Sequence, residues 1–223
     1  MKKQEVNITL YIILIIALVL VTGINTYALS SISGTIKGTT HFKGLDNVDI
    51  DTIANTGQAV AKLFSIDEIK TQEDAIALLI PTGTPEYGDL LPISYDDPVT
   101  ALTYLQKYYP TIKAELKKDP ELWQRYLNLA TKPVGISCEF CCGVGPIGIS
   151  KNGELTCGCS HNPAIQALTM WLMKNTDYTD AEVLQEALKW KTLWFPKNMI
   201  DIGIKASGGE IDLNALPSMV GGC

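Results

Sequence analysis

Five of the six cysteines and one of the two histidines fall within the 24 residues from Cys138 to His161. They are arranged as Cys138-Glu-Phe-Cys141-Cys142 and, beyond an intervening loop, as Cys157-Gly-Cys159-Ser-His161. A Cys-x-x-Cys turn facing a Cys-x-Cys brings four thiols to one point once the segment between them folds back. Thiolates are soft ligands that suit zinc, Cu(I) or an iron–sulfur cluster, and His161 can add an imidazole nitrogen. Cys157 and Cys159 also stand just ahead of an expected helix start at Asn162-Pro163. The partial positive charge of a helix N-terminus favours thiolate over thiol. The sixth cysteine, Cys223, follows Gly221 and Gly222. Two glycines let a backbone approach closely, so Cys223 is expected to reach back to the cluster as a further ligand or disulfide partner. Its most natural partner is Cys142, which a four-thiol set leaves over. On this view, deleting residues 221–223 lowers metal retention or stability, by about 2 kcal/mol. The candidate metal ligands are therefore Cys138, Cys141, Cys142, Cys157, Cys159, His161 and Cys223.

The same cysteines admit two other chemistries. Six is an even number, and three disulfides would staple a loop-rich exported fold. Cys141 and Cys142 are adjacent and Cys157-Gly-Cys159 is tight, so neither short pairing closes without strain, which leaves cross-pairing between the two clusters. Thiol–disulfide exchange through Cys138-x-x-Cys141 is the third reading, but no βαβ pattern precedes the motif. The expected function is thus a metal-binding or metal-handling protein, more a binder than an enzyme. A disulfide-stapled surface adhesion or filament subunit is the alternative, and a thiol oxidoreductase comes third.

The elements that must position this cluster read as helices. Thr71 opens a capping box before Ala75 to Leu79, and Thr179 with Glu182 forms another. Asp97-Pro98, Asp119-Pro120 and Asn162-Pro163 each place a capping side chain before a proline at the first helical position. Helices are expected near 54–64, 72–80, 98–108, 120–130, 163–174 and 180–192, and strands are scarce. Segments 81–97 and 131–162 read as loops punctuated by glycine and proline. Within the second, Gly143, Gly145, Pro146, Gly148 and Asn152-Gly153 suit a hairpin-like return. The fold class is mainly α, with Trp171, Trp190, Trp194 and Phe195 at helical spacing as core.

The N-terminal segment differs in kind from the rest. Val6 to Ile24 is strongly apolar, and 19 helical residues reach about 28 Å, close to the hydrocarbon thickness of a bilayer. Its nearby positive charges, Lys2 and Lys3, precede it, which predicts a cytoplasmic amino end and an extracytoplasmic remainder. A cleaved signal peptide competes, because the apolar core Leu10 to Val21 also fits an h-region and Ala28-Leu29-Ser30 a cleavage site; the domain would then be secreted. The expected organisation is a membrane anchor or signal at 1–30, a Ser/Thr/Gly-rich linker at 31–44 and a helical cysteine-rich domain at 45–223, with the metal region at 136–162. Lys2-Lys3 lacks the twin arginines of folded-protein export. One zinc or Cu(I) ion captured after translocation is therefore expected ahead of a [2Fe–2S] cluster assembled before it.

The net charge of −6, with no run of Lys or Arg beyond two, gives no basic face for nucleic acid. His41 is isolated and reads as a surface residue. Asp46, Asp49 and Asp51 lack the glycine and distal glutamate of an EF-hand loop, and read as caps and solvated charge. No nucleophile elbow, Walker loop or dinucleotide fingerprint occurs.

Gly153-Glu-Leu-Thr-Cys157-Gly-Cys159-Ser-His-Asn-Pro-Ala-Ile165-Gln-Ala167 resembles the helix-entry Cys-x-Cys of the α-helical [2Fe–2S] domain of molybdenum hydroxylases, in which a Cys-x-x-Cys pair also comes first. The match spans about 30 residues, with a shorter gap between the pairs. The order of N-terminal anchor, Cys-x-x-Cys-Cys-Gly, Cys-Gly-Cys-x-His and Gly-Gly-Cys resembles uncharacterised membrane-anchored archaeal proteins. Cys-Gly-Cys is also reminiscent of exported bacterial proteins with a PCYCGC motif, although Pro-Cys-Tyr is missing. These resemblances imply an exported cysteine-rich module and no particular reaction.

Overall fold

The computed structural model describes residues 44–45 and 47–208, except the side chain of Cys142; all belong to one compact unit, Thr40–Cys223. Eight α-helices occur among them: α1 (Thr56–Leu63), α2 (Gln72–Leu79), α3 (Pro98–Leu116), α4 (Pro120–Ala130), the one-turn α5 (Glu139–Cys142), α6 (His161–Asn175), α7 (Asp180–Trp194) and α8 (Pro196–Ser207). Short 3-10 turns at Ile50–Thr52 and Ile66–Glu68 complete the set, and the described residues contain no strand longer than an isolated bridge. The mainly helical class is as expected. Residues 6–24 lie outside the described region, and among the described residues no helix is long and apolar enough to cross a membrane.

Most boundaries follow from local chemistry. The capping boxes at Thr71/Asp74 and Thr179/Glu182 form, with each hydroxyl accepting from the third helical N–H. Asp97 and Asp119 accept from the first N–H groups of α3 and α4 and sit before their prolines. Asp49 caps the first 3-10 turn, and Asp51 pairs with Lys132, as surface acids should.

Three expectations need correction. Helix α3 does not stop at 108 but runs through Pro110 to Leu116. An internal proline deletes one backbone hydrogen bond and costs about 3 kcal/mol. Yet Leu102, Leu105, Tyr109, Ile112 and Leu116 keep one apolar stripe buried across it, and that burial outweighs the lost bond. Helix α8 was not expected; Pro196 at its start and Gly208 in the left-handed region after its end are its signals. Asn162 does not cap α6. The helix begins two residues earlier, at His161, Ser160 takes the cap position without a side-chain bond, and Asn162 turns inward.

At the centre, α6 and α7 are buried on nearly all sides, with α3 against α6 as the most extensive helix pair. Trp171, Trp190, Trp194 and Phe195 are all core residues. Tyr95, Trp190 and Trp194 follow one another at ring-centroid distances of 5.0 and 5.9 Å. The segment from Thr131 to Ser160 lies against this centre as a loop carrying only α5.

Candidate metal centre

The loop folds back as its glycines require. Gly153, at φ 76°, closes a tight turn in which its N–H donates to the Ser150 carbonyl at 2.8 Å. Ser150 N–H in turn donates to the Glu154 carbonyl at 2.8 Å, and Ile149 bridges Leu155 antiparallel. Across the base, Ile136 bridges Ile147 in parallel and Ser137 Oγ donates to the Gly145 carbonyl at 2.7 Å. The return therefore places Cys138, on one limb, beside Cys157 and Cys159 on the other.

Side chains from four helices hold these limbs down. Asn162 Nδ2 donates to the Gly148 carbonyl at 2.7 Å, and Gln166 Nε2 to the Ile136 carbonyl at 2.9 Å. Gln166 Oε1 accepts from Tyr126 of α4 at 2.9 Å. Lys191 of α7, fully buried, donates to the Gly135 carbonyl at 2.9 Å and pairs with Glu139 at 3.2 Å. Thr56 of α1 donates to the same Glu139 carboxylate at 2.7 Å. The Gly148 and Gly135 carbonyls also accept from the Thr156 and Ser137 N–H groups, whereas the Ile136 carbonyl is satisfied by Gln166; these side-chain bonds tie the loop to the helical framework without regular secondary structure.

The sulfurs of Cys138, Cys157 and Cys159 lie within 4.8 Å of one another, and all three cysteines are free. The sulfurs of Cys138 and Cys159 are hydrogen-bonded at 3.1 Å. Either thiol can donate in that bond; the surroundings of Cys159 decide the outcome. Its sulfur is held toward thiolate first by the bond with Cys138, then by His161 and the Asn162 N–H at the start of α6. Cys138 is correspondingly driven toward the thiol, by sharing with Cys159 and by burial. Zinc–sulfur bonds of about 2.3 Å space tetrahedral thiolates roughly 3.8 Å apart. An ion entering the triad would widen the Cys138–Cys159 pair by roughly 0.7 Å on that geometry, and the protons of the thiols would leave.

A second triad, Cys141, Cys159 and His161, also closes within 4.8 Å and meets the first at Cys159. Its nitrogen source is well placed: His161 is buried against Phe195, at a ring-centroid distance of 4.6 Å. Cys141, however, is disulfide-bonded, with its partner beyond the described side chains. A disulfide sulfur carries no thiolate charge, so Cys141 qualifies as a ligand only in its reduced form. Cys142 contributes backbone alone to the description, and His41, Asp46 and Cys223 lie outside it, together with the expected contact of Cys223 to the cluster.

Sequence reasoning missed Lys191, Glu139 and Gln166. None has a signal in linear spacing, because Lys191 and Gln166 meet the loop, and the loop's own Glu139 meets Lys191 and Thr56, only after α1, α6 and α7 have packed. Burial draws the Lys191 ammonium down to about 8, against the attraction of Glu139. The sign is that of a group that prefers to be neutral when folded. Between pH 8 and 10.5 the unfolded chain holds more protons, so stability should rise with pH in that window. The rise is on the order of 3 kcal/mol at 1.36 kcal/mol per unit. Chemical denaturation at pH 7.5 and 10 should show this slope in the wild type and a flatter one in K191M.

No protein-family model, no curated protein and no solved structure matches the chain.

Proposed function

We propose that this protein binds one thiophilic metal ion, zinc or Cu(I), through Cys138, Cys157 and Cys159, with His161 as the candidate fourth ligand. The observation that supports this reading is the convergence of three free cysteines, two of them buried, from separate limbs of a loop anchored by four helices. A buried group of polar sulfurs held this close is compatible with a soft ion, and the donor set suits zinc or Cu(I) better than hard cations. A [2Fe–2S] cluster is most often held by four thiolates, and with Cys141 oxidised the described residues offer three, with His161 as a nitrogen donor. The chain is further proposed to act outside the cytoplasm behind the apolar segment Val6 to Ile24, on the strength of its length and flanking lysines. Metal handling or structural metal binding, with no catalytic step, is the role assigned.

Competition against a chromophoric chelator tests the ligand set. C138S, C157S and C159S should each weaken zinc or Cu(I) binding by more than about 100-fold, beyond the loss typical of an outer partner. H161A should weaken it by about 10-fold or more if the imidazole completes the site. Wild-type affinity in all three serine variants would refute the assignment.

A further inference from the structure

A series of ring contacts joins the cysteine cluster to a buried phenol. One ring nitrogen of His161 lies within 4.8 Å of the Cys159 sulfur, and the His161 ring stands 6.0 Å from Trp194, centroid to centroid. Trp194 is 5.9 Å from Trp190, four residues earlier on the same face of α7, and Trp190 is 5.0 Å from Tyr95. Such separations are ordinary for packed aromatic pairs. The two ends of the series are not. One end is the cysteine cluster. At the other, Tyr95 Oη donates at 2.6 Å to Oε2 of the almost fully buried Glu186, whose Oε1 pairs with Lys189 at 2.5 Å. Of the four rings Tyr95 alone reaches solvent, at 8%, whereas His161, Trp190 and Trp194 are fully buried. Electron tunnelling falls off exponentially with distance, so oxidisable rings at this spacing replace one long transfer by short ones. An oxidised phenol is a strong acid, and it forms readily only where its proton has an acceptor. Glu186 is in place to be that acceptor before any electron moves.

We propose that Trp194 and Trp190 relay a one-electron vacancy from the cysteine cluster to Tyr95, a redox-active phenol whose proton acceptor is Glu186. The oxidant is of the hydroxyl-radical class, formed when Cu(I) at the triad gives one electron to hydrogen peroxide. It takes one electron from Trp194 across His161 and ends as hydroxide. Trp190 then refills Trp194, and Tyr95 refills Trp190. With that last electron the phenolic proton passes to Glu186 Oε2, which leaves a neutral phenoxyl radical and a neutral carboxyl. Both indoles are restored, so Tyr95 has lost one electron to the oxidant and one proton to Glu186. A diffusible enediol of the ascorbate class returns the electron at the solvent edge of the ring, and Glu186 returns the proton. Oxidising power is thereby drawn away from the sulfurs. The source of the oxidant rests on the Cu(I) reading above; the relay rests on the rings and Glu186 alone.

Flash photolysis of the full-length, metal-free protein tests the relay. The chain has four tryptophans, so in a W123F/W171F background only Trp190 and Trp194 remain to be photoionised. The indolyl absorption should decay as phenoxyl absorption grows, at a rate independent of protein concentration and slowed in deuterated buffer. Y95F should abolish this fast transfer, and E186Q should slow it several-fold with every ring still present. Y87F, which removes the other phenol on Glu186, should retain it. Transfer at the parental rate in Y95F, or no slowing in either E186Q or deuterated buffer, overturns the relay and leaves metal binding standing. Freeze-quenched electron paramagnetic resonance of the copper-loaded wild type after peroxide tests the source. A tyrosyl signal that Y95F removes supports copper at the triad as the origin of the vacancy. No such signal, with the flash transfer intact, upholds the relay and counts against copper at the triad.

Discussion

G148A is expected to destabilise the domain by about 3 kcal/mol or more, and to weaken metal binding along with it. A Cβ at this position would stand 2.3 Å from Asn162 Oδ1, 2.7 Å from Gln166 Nε2 and 2.8 Å from the Ile136 carbonyl oxygen. Two of those atoms belong to the side chains that hold the loop on α6, and the third is backbone. Relief therefore requires the loop to lift, and lifting it breaks the bonds from Asn162 to the Gly148 carbonyl and from Gln166 to the Ile136 carbonyl. Overpacking costs about 1–3 kcal/mol, and each buried polar group left unpaired adds about 1–3 kcal/mol. For a domain of this size the melting temperature should fall by roughly 6 to 12 °C. Calorimetry checks the first part, and the same chelator competition checks the second. A G148A protein with unchanged melting temperature would show that the loop is not seated against α6 as described.

The second large effect lies away from the cysteines. Glu186, nearly fully buried in α7, accepts from Tyr87 at 2.8 Å and Tyr95 at 2.6 Å and pairs with Lys189 at 2.5 Å. Tyr87 accepts in turn from Trp190 Nε1 at 2.8 Å. Burial, reinforced by the Glu186 charge, raises both phenols far above their usual range, so both remain donors. E186A removes their common acceptor and leaves a void, an outcome worth on the order of 4 kcal/mol for a broken buried charged network. E186Q, which keeps an acceptor oxygen, should lose less. Adding Y87F and Y95F to an E186L background should recover part of the loss, because removing both partners of a buried bond costs less than removing one. Urea denaturation of the series gives the comparison. Equal stability of E186A and wild type would exclude the network as a stabilising element. Metal affinity should change little in any of these variants, which separates the framework from the site.

Helix existence was legible because the signals are local. Thr71, Asp97, Asp119 and Thr179 cap the helices that their spacing announced, and the buried tryptophans fall where helical periodicity puts them. The failures share one cause, namely that a tertiary contact overrides a local rule. Pro110 should end a helix, but the apolar stripe on both sides of it is buried as one face. Asn162 has the residue type and position of a cap, yet the Gly148 carbonyl takes its side chain inside the core. The site was half legible. Cys-x-x-Cys and Cys-x-Cys predicted which limbs converge, and the Asn152-Gly153 turn predicted the return. Spacing alone did not distinguish a free Cys138 from a disulfide-bonded Cys141. Nor did it reveal that the buried Lys191 pairs with the part-buried Glu139 at the foot of the loop.

The most direct test of the central claim is metal stoichiometry measured together with thiol accessibility on the full-length protein. Protein purified without chelator, then loaded with zinc and desalted, should retain one ion per chain by elemental analysis. Cys138, Cys157 and Cys159 should resist a thiol reagent while the ion is bound and react once a strong chelator removes it. A chain that retains no zinc or Cu(I), with these three cysteines equally reactive in both states or joined in disulfides, would contradict the account.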